Sequence, residues 1–293
     1  LSEARREVAD VLASVRRRFQ LNYGLSPVAL AHRCAVFEYG LAASREALAQ
    51  TVARRIFIVG RSSAPELLAA AAELGIPSIE LQHGVIAKFN AHYHYPGRQR
   101  IPYAPDCLLT FGPMWQQEVE LPAQTRAAII GLPKFPQPEA IAGAKSALVL
   151  SQWAIGPQLA NAVRVLAKIS PDWGIVYRPH PLEDVMVYRK IFSDCRNVCI
   201  SNNEPLATQF LKTSVQLGVY STALYEGMRI GLHTILFDLP GIEHMDTCLQ
   251  RGDAVLAIQP KDAARLLATA PRAKDASFYM TPAVSIAAAL NIA

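Results

Sequence analysis

Short apolar segments alternate with helix-forming segments along most of the chain, and this alternation predicts its fold. The run "IFIVG" (56–60) is followed by the helix-forming "APELLAAAAELG" (64–75), which ends at a glycine two residues before Pro77. Further apolar runs predict strands at 78–82, 107–112 and 127–131. Short apolar strands separated by helices are typical of a parallel sheet that is covered on both faces.

The same alternation starts again after the proline-rich segment 132–146, which we interpret as an interdomain linker. It predicts strands at 147–152, 173–181, 214–221, 233–240 and 254–258, and helices at 156–170, 222–231 and 260–271. The predicted fold is therefore α/β, with Rossmann-like parallel-sheet domains at 1–138 and 139–293 that face each other across a cleft. Ligands of such sheets bind beyond the carboxyl ends of the strands, so we expect the site in that cleft.

Charge and cysteine content narrow the class of protein. The 293-residue chain has a formal net charge of +5, which fits an anionic ligand or an anionic membrane surface and does not by itself indicate nucleic acid. Its 5 cysteines, an odd number, predict reduced thiols instead of a disulfide framework. No apolar run is long enough to cross a bilayer. We expect a cytoplasmic protein.

The first twenty residues predict an amphipathic helix with an arginine-rich face. The arginines are Arg5, Arg6, Arg16, Arg17 and Arg18. A solvated helix face and a peripheral contact with the inner face of the cytoplasmic membrane are both compatible with this pattern.

Polar residues collect directly after the predicted strands. In "YRPHPLE" (177–183), Arg178 and His180 follow a strand, and Pro179 and Pro181 prevent the segment from becoming a helix. A rigid turn that carries a guanidinium and an imidazole suits a phosphate or a nucleotide. The alternative is an ordinary proline turn with exposed polar side chains.

A second cluster lies in "GVYSTALYEGMRIG" (218–231), where a strand meets a helix. Ser221 and Thr222 would add hydroxyl donors to the free N–H groups of the helix start, which favours a phosphate. Glu226 lies four residues after Thr222 on the same helix face, where its carboxylate could accept ribose hydroxyls. The alternative is an ordinary serine or threonine cap with a glutamate in the early helix.

A third cluster, "LQHGVI" (81–86), places His83 after a strand of the first half, with Gln82 beside it as a further candidate contact. Histidine is a plausible general base near neutral pH. A histidine bonded to a loop carbonyl is the alternative. Weaker candidates are Arg61, for an anion, and Glu243 and His244, for the nucleotide or sugar. The basic and aromatic segment 88–100 is either a loop that closes over an acceptor or a surface loop.

Several motifs are absent, and their absence excludes some functions. The sequence has no G-x-x-x-x-G-K-[ST] loop, no G-x-G-x-x-G fingerprint and no G-x-S-x-G elbow. These absences argue against a P-loop NTPase and a hydride-transferring Rossmann enzyme. No D-x-D occurs either, so the usual handle for a metal-held nucleotide sugar is missing. We expect no metal and no cofactor.

The pattern of "LQHG" in the first half, with "RPHP" and "YSTALYEG" in the second, resembles the GT-B glycosyltransferases. It is most similar to those that build bacterial surface polysaccharides such as capsule and lipopolysaccharide, namely the Kdo, sialyl and polysialyl transferases, with the CDP-glycerol glycerophosphotransferases nearby. The resemblance implies an acceptor domain at 1–138 and a donor domain at 139–293. The D/E-D/E-G motif of the sialyl and polysialyl transferases is missing, and this chain reads Val219-Tyr220-Ser221-Thr222 where the glycerophosphotransferases have Asp-Tyr-Ser-Ser.

The resemblance also implies roles for single residues. His180 and Pro181 match the His-Pro pair at the donor nucleotide, Ser221 and Thr222 match the turn at the donor phosphate, and Glu226 matches the acid at the ribose. His83 matches a histidine near the acceptor and is the expected base. The implied activity is transfer of a sugar from a CMP- or UDP-type donor to a glycan or glycolipid acceptor. A nucleotide-sugar epimerase and a non-catalytic binding domain remain alternatives.

Overall fold

A computed structural model of the chain describes residues 2–19, 26–132, 145–201 and 203–290. The chain divides into two compact units. The first consists of Leu1–Gln82, Pro96–Leu108 and Leu121–Arg126, and the second of His83–Tyr95, Leu109–Glu120 and Ala127–Ala293. The predicted boundary between 138 and 139, and most of the predicted linker, lie outside the described residues. That division of the chain therefore stays a prediction.

The first sheet has four strands in the order β1-β2-β3-β4. Their bounds are Ile56–Val59 (β1), Ser78–Leu81 (β2), Cys107–Thr110 (β3) and Arg126–Ile129 (β4). Strands β1 and β2 pair in parallel with Ile56 opposite Ser78. Helix α3 (Pro65–Glu73) buries Leu68, Ala70 and Ala71 in a small apolar cluster with Ile56 and Ile58. The strands and the helix predicted in this part of the sequence are confirmed.

Two long helices precede this sheet, α1 (Ser2–Phe19) and α2 (Pro27–Ala49). The sequence reading predicted α1 but not α2. Ser26 caps α2 by accepting a hydrogen bond from the N–H of Ala29, and proline occupies the first turn. The apolar residues of α2 are spread around the helix and do not form one stripe, so hydrophobic periodicity did not reveal it. A surface ion pair between Arg45 and Glu73 links α2 to α3.

The second sheet has six parallel strands in the order β10-β9-β8-β5-β6-β7. Their bounds are Ser146–Leu150 (β5), Gly174–Arg178 (β6), Val198–Ile200 (β7), Val215–Gly218 (β8), His233–Phe237 (β9) and Val255–Ala257 (β10). From β5 the chain first extends the sheet on one side and then returns to extend it on the other. The strand order therefore reverses between β5 and β8. The prediction of an α/β fold with two parallel sheets is confirmed.

Helices α5 (Gly156–Ile169) and α10 (Pro260–Leu266) pack together and cover the core of this sheet. The core includes Val149, Leu159 and Leu217, all with no exposed surface. The other helices in this part of the chain are α4 (Pro113–Gln117), α6 (Val185–Ile191), α7 (Leu206–Leu211), α8 (Thr222–Arg229), α9 (Asp246–Gln250) and α11 (Ile286–Leu290). Of these, only α8 was predicted, because the others are too short to show a helical period.

The segment that precedes α11 packs against residues 111–115 and 131–132, which belong to the same unit. Trp115 is fully buried, and its Nε1 donates to the carbonyl of Tyr279 at 2.6 Å. The N–H of Thr281 donates to the carbonyl of Phe111, and the N–H of Leu132 donates to the carbonyl of Thr281. Gly112 is required here because a Cβ atom would lie 2.5 Å from the Tyr279 carbonyl oxygen.

Two further predictions concern cysteines and the membrane. All five cysteines are free, as predicted. Among the helices in the described ranges, none combines the length and the apolar character that crossing a lipid bilayer would require.

The contact between residue 131 and the segment near 282 gives a stability prediction. Gly131 has a φ of +69°, and a Cβ atom there would overlap the backbone of Pro282; Gly252 has a φ of +68° with nothing within 4 Å of such an atom. We expect Gly252→Ala to lower the free energy of unfolding by about 1 kcal/mol, from backbone strain alone. Gly131→Ala should lower it by about 3 kcal/mol, because overpacking adds to the same strain. Urea denaturation measures both, and equal losses would contradict the packing described.

Candidate active site

Two adjoining cavities lie within the second unit. The larger has a volume of about 630 Å³ and the smaller about 220 Å³, and both are lined by His180 and Ser221. The larger cavity also has His83, Asn90, Trp153 and His244 in its wall. The smaller one is lined mainly by apolar groups and by the side chain of Arg178.

The strand order explains why these residues meet. Gln152 and Trp153 follow β5, the segment from Pro179 to Pro181 follows β6, and Tyr220 to Thr222 follow β8. Strand β5 is hydrogen-bonded to both β6 and β8. All three are parallel, so their carboxyl ends open at one edge, at the point where the strand order reverses. Ligands of doubly wound sheets bind at this point.

The loop after β8 is held by a side chain from the loop after β5. The N–H of Tyr220 donates to Gln152 Oε1 at 3.1 Å, and Gln152 Nε2 donates to the Tyr220 carbonyl at 2.5 Å. Ser221 then caps α8, because its Oγ accepts a hydrogen bond from the N–H of Ala223. The N–H of Leu224 donates to the Ser221 carbonyl at 3.0 Å, and the helix dipole makes this end favourable for an anion.

The imidazole of His180 has a defined orientation. The backbone N–H of Leu182 donates to its Nδ1 at 3.2 Å. A neutral imidazole that accepts a hydrogen bond at Nδ1 carries its proton on Nε2. Because His180 lines both cavities, it offers this N–H as a hydrogen-bond donor.

Arg178 is anchored on the side of α7. Its Nη1 donates to the Glu204 carbonyl at 2.6 Å and to Gln209 Oε1 at 2.8 Å. Burial lowers the pKa of the Arg178 guanidinium, and the nearby charge of Glu204 opposes this shift. An arginine pKa lies so far above neutrality that the group stays a cation in the wall of the smaller cavity.

Aromatic rings form one wall of the larger cavity. The ring of His244 lies 5.3 Å from that of Tyr220 and 6.1 Å from that of Phe89, measured between centroids. Within the described ranges, His244 Nδ1 is buried without a hydrogen-bond partner. Trp153 is 67% exposed at this cavity, so a large apolar surface is open to a ligand.

The hydrogen-bonding groups in the wall of the larger cavity suit an anion. Three imidazoles line it, those of His83, His180 and His244, together with the start of α8. Among the described residues, no aspartate or glutamate lines either cavity. The described part of the chain also contains no group of three His, Cys, Asp or Glu side chains that could hold a metal ion.

Most residues predicted for the site line these cavities. His83, His180, Ser221, Thr222 and His244 line the larger one. Arg178 and Pro181 line the smaller one, together with His180 and Ser221. The sequence reading therefore selected residues that the fold brings together, although their individual roles stay predictions.

The other predicted residues lie elsewhere. Glu226 is half-buried one turn along α8 and lines neither cavity. Burial raises the pKa of its carboxyl group, and Arg229 opposes this shift. Glu243 is exposed, and Gln82 is buried in the first unit. Contacts of these residues with a ligand stay predictions.

Arg61, in the turn after β1, is paired with the carboxylate of Glu80 in β2. Its backbone N–H donates to Glu80 Oε1 at 2.9 Å, and its Nε donates to Glu80 Oε2 at 2.7 Å. Both side chains are buried, with exposures of 4% and 0%. The sequence reading treated Arg61 as a ligand contact because Glu80 was not recognised as its partner. Breaking such a buried pair is costly, so its evident role is to fix the turn after β1.

Gln152, Trp153 and Asn90 were not selected from the sequence. Gln152 and Trp153 follow β5 directly, and the rule that selected Arg178 and Ser221 would also have selected them. Asn90 lies in a loop whose path depends on the tertiary structure.

No protein-family model matches the sequence, and no curated protein matches it at a significant level. Solved structures do match its fold. UDP-GlcNAc 2-epimerase from Neisseria meningitidis, bound to UDP-GlcNAc, matches with a TM-score of 0.57 and 12% identity over 84% of this chain and 78% of that chain. The calicheamicin glycosyltransferase CalG4 matches with a TM-score of 0.53 and 14% identity over 88% and 75%. MurG from Acinetobacter baumannii matches with a TM-score of 0.50 and 16% identity over 78% and 68%.

The chain has a GT-B-type fold. Its structural neighbours include GT-B glycosyltransferases, in agreement with the resemblance seen in the sequence, although the Kdo and sialyl transferases are not singled out. At these low identities the likeness concerns the fold alone.

The contact between Gln152 and Tyr220 generates a prediction. Gln152→Met removes both hydrogen bonds to the Tyr220 backbone while it keeps a similar side-chain length. We expect the free energy of unfolding to fall by about 2 kcal/mol, because partly buried backbone groups lose their partners. Gln250→Met, at an exposed position, serves as the control and should change stability by no more than about 0.5 kcal/mol. Chemical denaturation compares the two, and similar losses would show that Gln152 does not hold this loop.

Proposed function

We propose that this protein is a metal-independent glycosyltransferase that moves a sugar from a CMP- or UDP-type donor to a bacterial surface glycan or glycolipid. The observation that supports this most directly is the larger cavity, where three imidazoles and a helix start meet and where, in the described part of the chain, no carboxylate lines the wall. Such a site suits the phosphate of a nucleotide-activated sugar. The GT-B-type fold is compatible with this function but does not select it.

The donor phosphate is the group whose charge must be stabilised as the nucleotide leaves. His180 offers its Nε2–H, and Ser221 and Thr222 bring their hydroxyls and the positive end of the α8 dipole. Arg178 adds a fixed positive charge in the adjoining cavity. Donors that are already oriented stabilise developing negative charge without reorganisation.

The acceptor must lose a proton as it attacks. The acceptor hydroxyl oxygen forms a bond to the anomeric carbon, and the bond from that carbon to the nucleotide phosphate breaks. We assign the proton to His83, which is exposed in the wall of the same cavity.

We propose that the arginine-rich helix α1 contacts the inner face of the membrane. Cosedimentation of the protein with anionic vesicles would test this contact.

Substitution of the two histidines tests their separate roles. We expect His180→Ala to lower the rate of transfer at least about 100-fold, because it removes a donor to the leaving phosphate. His83→Ala should lower it by more than about tenfold, with nucleotide affinity retained. His32→Ala, on the exposed face of α2, is the control. Near-normal turnover of His180→Ala would contradict the donor assignment, and a smaller loss for His83→Ala would mean that another group is the base.

A nucleotide-sugar epimerase is the second candidate, because the match to UDP-GlcNAc 2-epimerase is as good as the matches to the transferases. A thermal-shift screen against CMP, CDP, UDP, UMP, GDP and ADP would first identify the bound nucleotide, since a ligand stabilises the folded state by mass action. Incubation of the matching nucleotide sugar without an acceptor then separates the candidates. We expect no epimerised sugar; its appearance would favour the epimerase. Tight binding without any turnover would indicate a binding domain.

A further inference from the structure

The turn that carries His180 is closed by a residue that the proposed mechanism does not use. The N–H of Glu183 donates to the His180 carbonyl at 2.9 Å, and the N–H of His180 donates back to Glu183 Oε2 at 2.5 Å. Between them, the N–H of Leu182 donates to His180 Nδ1. The bond from the His180 N–H to the carboxylate three residues later is one half of a capping box, but the His180 side chain accepts from Leu182 and not from Glu183. Because the next helix, α6, begins only at Val185, these hydrogen bonds stabilise a turn and not the start of a helix.

The carboxylate of Glu183 is held by two hydroxyl groups from other elements. Ser151 Oγ donates to Glu183 Oε1 at 3.0 Å, and the hydroxyl of Tyr188 in α6 donates to the same oxygen. The hydroxyl of Tyr177 in β6 lies 2.8 Å from Ser151 Oγ and donates to the Gly156 carbonyl at 3.1 Å, so it packs beside the hydroxyl that donates to Glu183. Ser151, Tyr177 and Tyr188 are all buried. The carboxylate is therefore fixed by groups that cannot move into solvent.

Gly156, the first residue of α5, leaves space for the carboxylate of Glu183 and the hydroxyl of Tyr188. A Cβ atom on Gly156 would overlap both Glu183 Oε1 and the Tyr188 hydroxyl. Burial raises the pKa of Tyr188, and its hydrogen bond to Glu183 raises it further, so the phenol remains a donor at neutral pH. The ends of β5 and β6 and the starts of α5 and α6 thus converge on one carboxylate.

We propose that Glu183 is a positioning residue that holds the His180 ring with its Nε2–H available to the cavities. This inference rests on the proposed function and deepens it, because it names the group that orients the donor to the phosphate. Glu183 itself lines neither cavity. It fixes both ends of the turn through its own N–H and its carboxylate, and the Leu182 N–H then reaches His180 Nδ1. A ring held in this way needs no reorientation when the leaving group develops its charge.

Glu183→Gln is the variant that tests this proposal. The amide keeps the shape of the side chain, but it has one acceptor oxygen for the three donors that the carboxylate serves. Asp184→Asn is the matched control, because Asp184 is the adjacent, exposed carboxylate and asparagine is an equally good cap for α6. Both variants remove one negative charge within one residue of each other.

The first measurement is the ¹⁵N spectrum of the histidine rings in ligand-free protein, with the His180 signal assigned by its loss in His180→Ala. We expect wild type and Asp184→Asn to show the Nε2–H form. Glu183→Gln should shift the ring towards a mixture of the two tautomers. An unchanged His180 signal in Glu183→Gln would overturn the proposal, whether or not the protein proves to be a glycosyltransferase.

The second measurement is steady-state kinetics with the nucleotide sugar identified by the thermal-shift screen. We expect Glu183→Gln to lower kcat roughly tenfold with a smaller change in KM. The variant loses a charge-assisted hydrogen bond that holds the turn of His180, and His180 is the proposed donor to the phosphate in the transition state. Asp184→Asn should keep both constants. A change in KM alone would contradict a positioning role. If wild type turns over no nucleotide sugar, the proposed function fails, and the ring spectrum still decides the role of Glu183.

Tyr188→Phe covers the case in which Glu183→Gln does not fold. It removes one donor from the carboxylate and leaves the turn residues unchanged. We expect the same shift in the His180 spectrum with a smaller amplitude. A His180 signal identical to that of wild type, in a folded Tyr188→Phe protein, would show that the carboxylate needs no support from α6 and would count against the proposal.

Discussion

The candidate site depends on one constraint, the parallel pairing of β5 with both β6 and β8. Parallel strands end at the same edge of a sheet, and a reversal of strand order leaves an opening there. Residues that are far apart in the sequence, such as Gln152, His180 and Ser221, meet for this reason alone. The contact of Gln152 with the Tyr220 backbone then joins two of the loops into one rim.

Two carboxylates of the second unit, those of Glu183 and Asp253, are already bound by hydrogen-bond donors within the protein. Glu183 is occupied by hydroxyl and N–H donors, and Asp253 accepts from Arg251, Tyr279 and the Lys274 N–H. Burial acts to raise the pKa of Asp253, but these hydrogen bonds and the Arg251 charge outweigh it, and the pKa is lowered. Among the described residues, neither of these acids lines the larger cavity, whose wall includes three imidazoles.

The fold itself does not choose between transfer and epimerisation, because proteins named for each activity share it. The choice depends on a few side chains and on what they leave room for. The proposed transfer needs a base for an attacking acceptor, which we assign to His83, and an oriented N–H donor for a departing phosphate, which we assign to His180. The hydrogen bonds around Glu183 connect the fold with the site. They are part of the packing of β5, β6, α5 and α6, and they also set the orientation of His180.

The sequence by itself determined the two parallel sheets, and most of the site residues it selected line the cavities, because apolar periodicity and the position of polar residues after strands are local signals. It did not reveal α2, whose apolar residues form no stripe. Nor did it reveal the pairing of Arg61, in the turn after β1, with Glu80 in β2. The sequence shows the H-x-x-E spacing of His180 and Glu183, but it does not show that the Glu183 carboxylate fixes the turn that carries His180. Only the tertiary structure brings Ser151, Tyr188 and the space beside Gly156 to that carboxylate, because those contacts join elements that no local pattern connects.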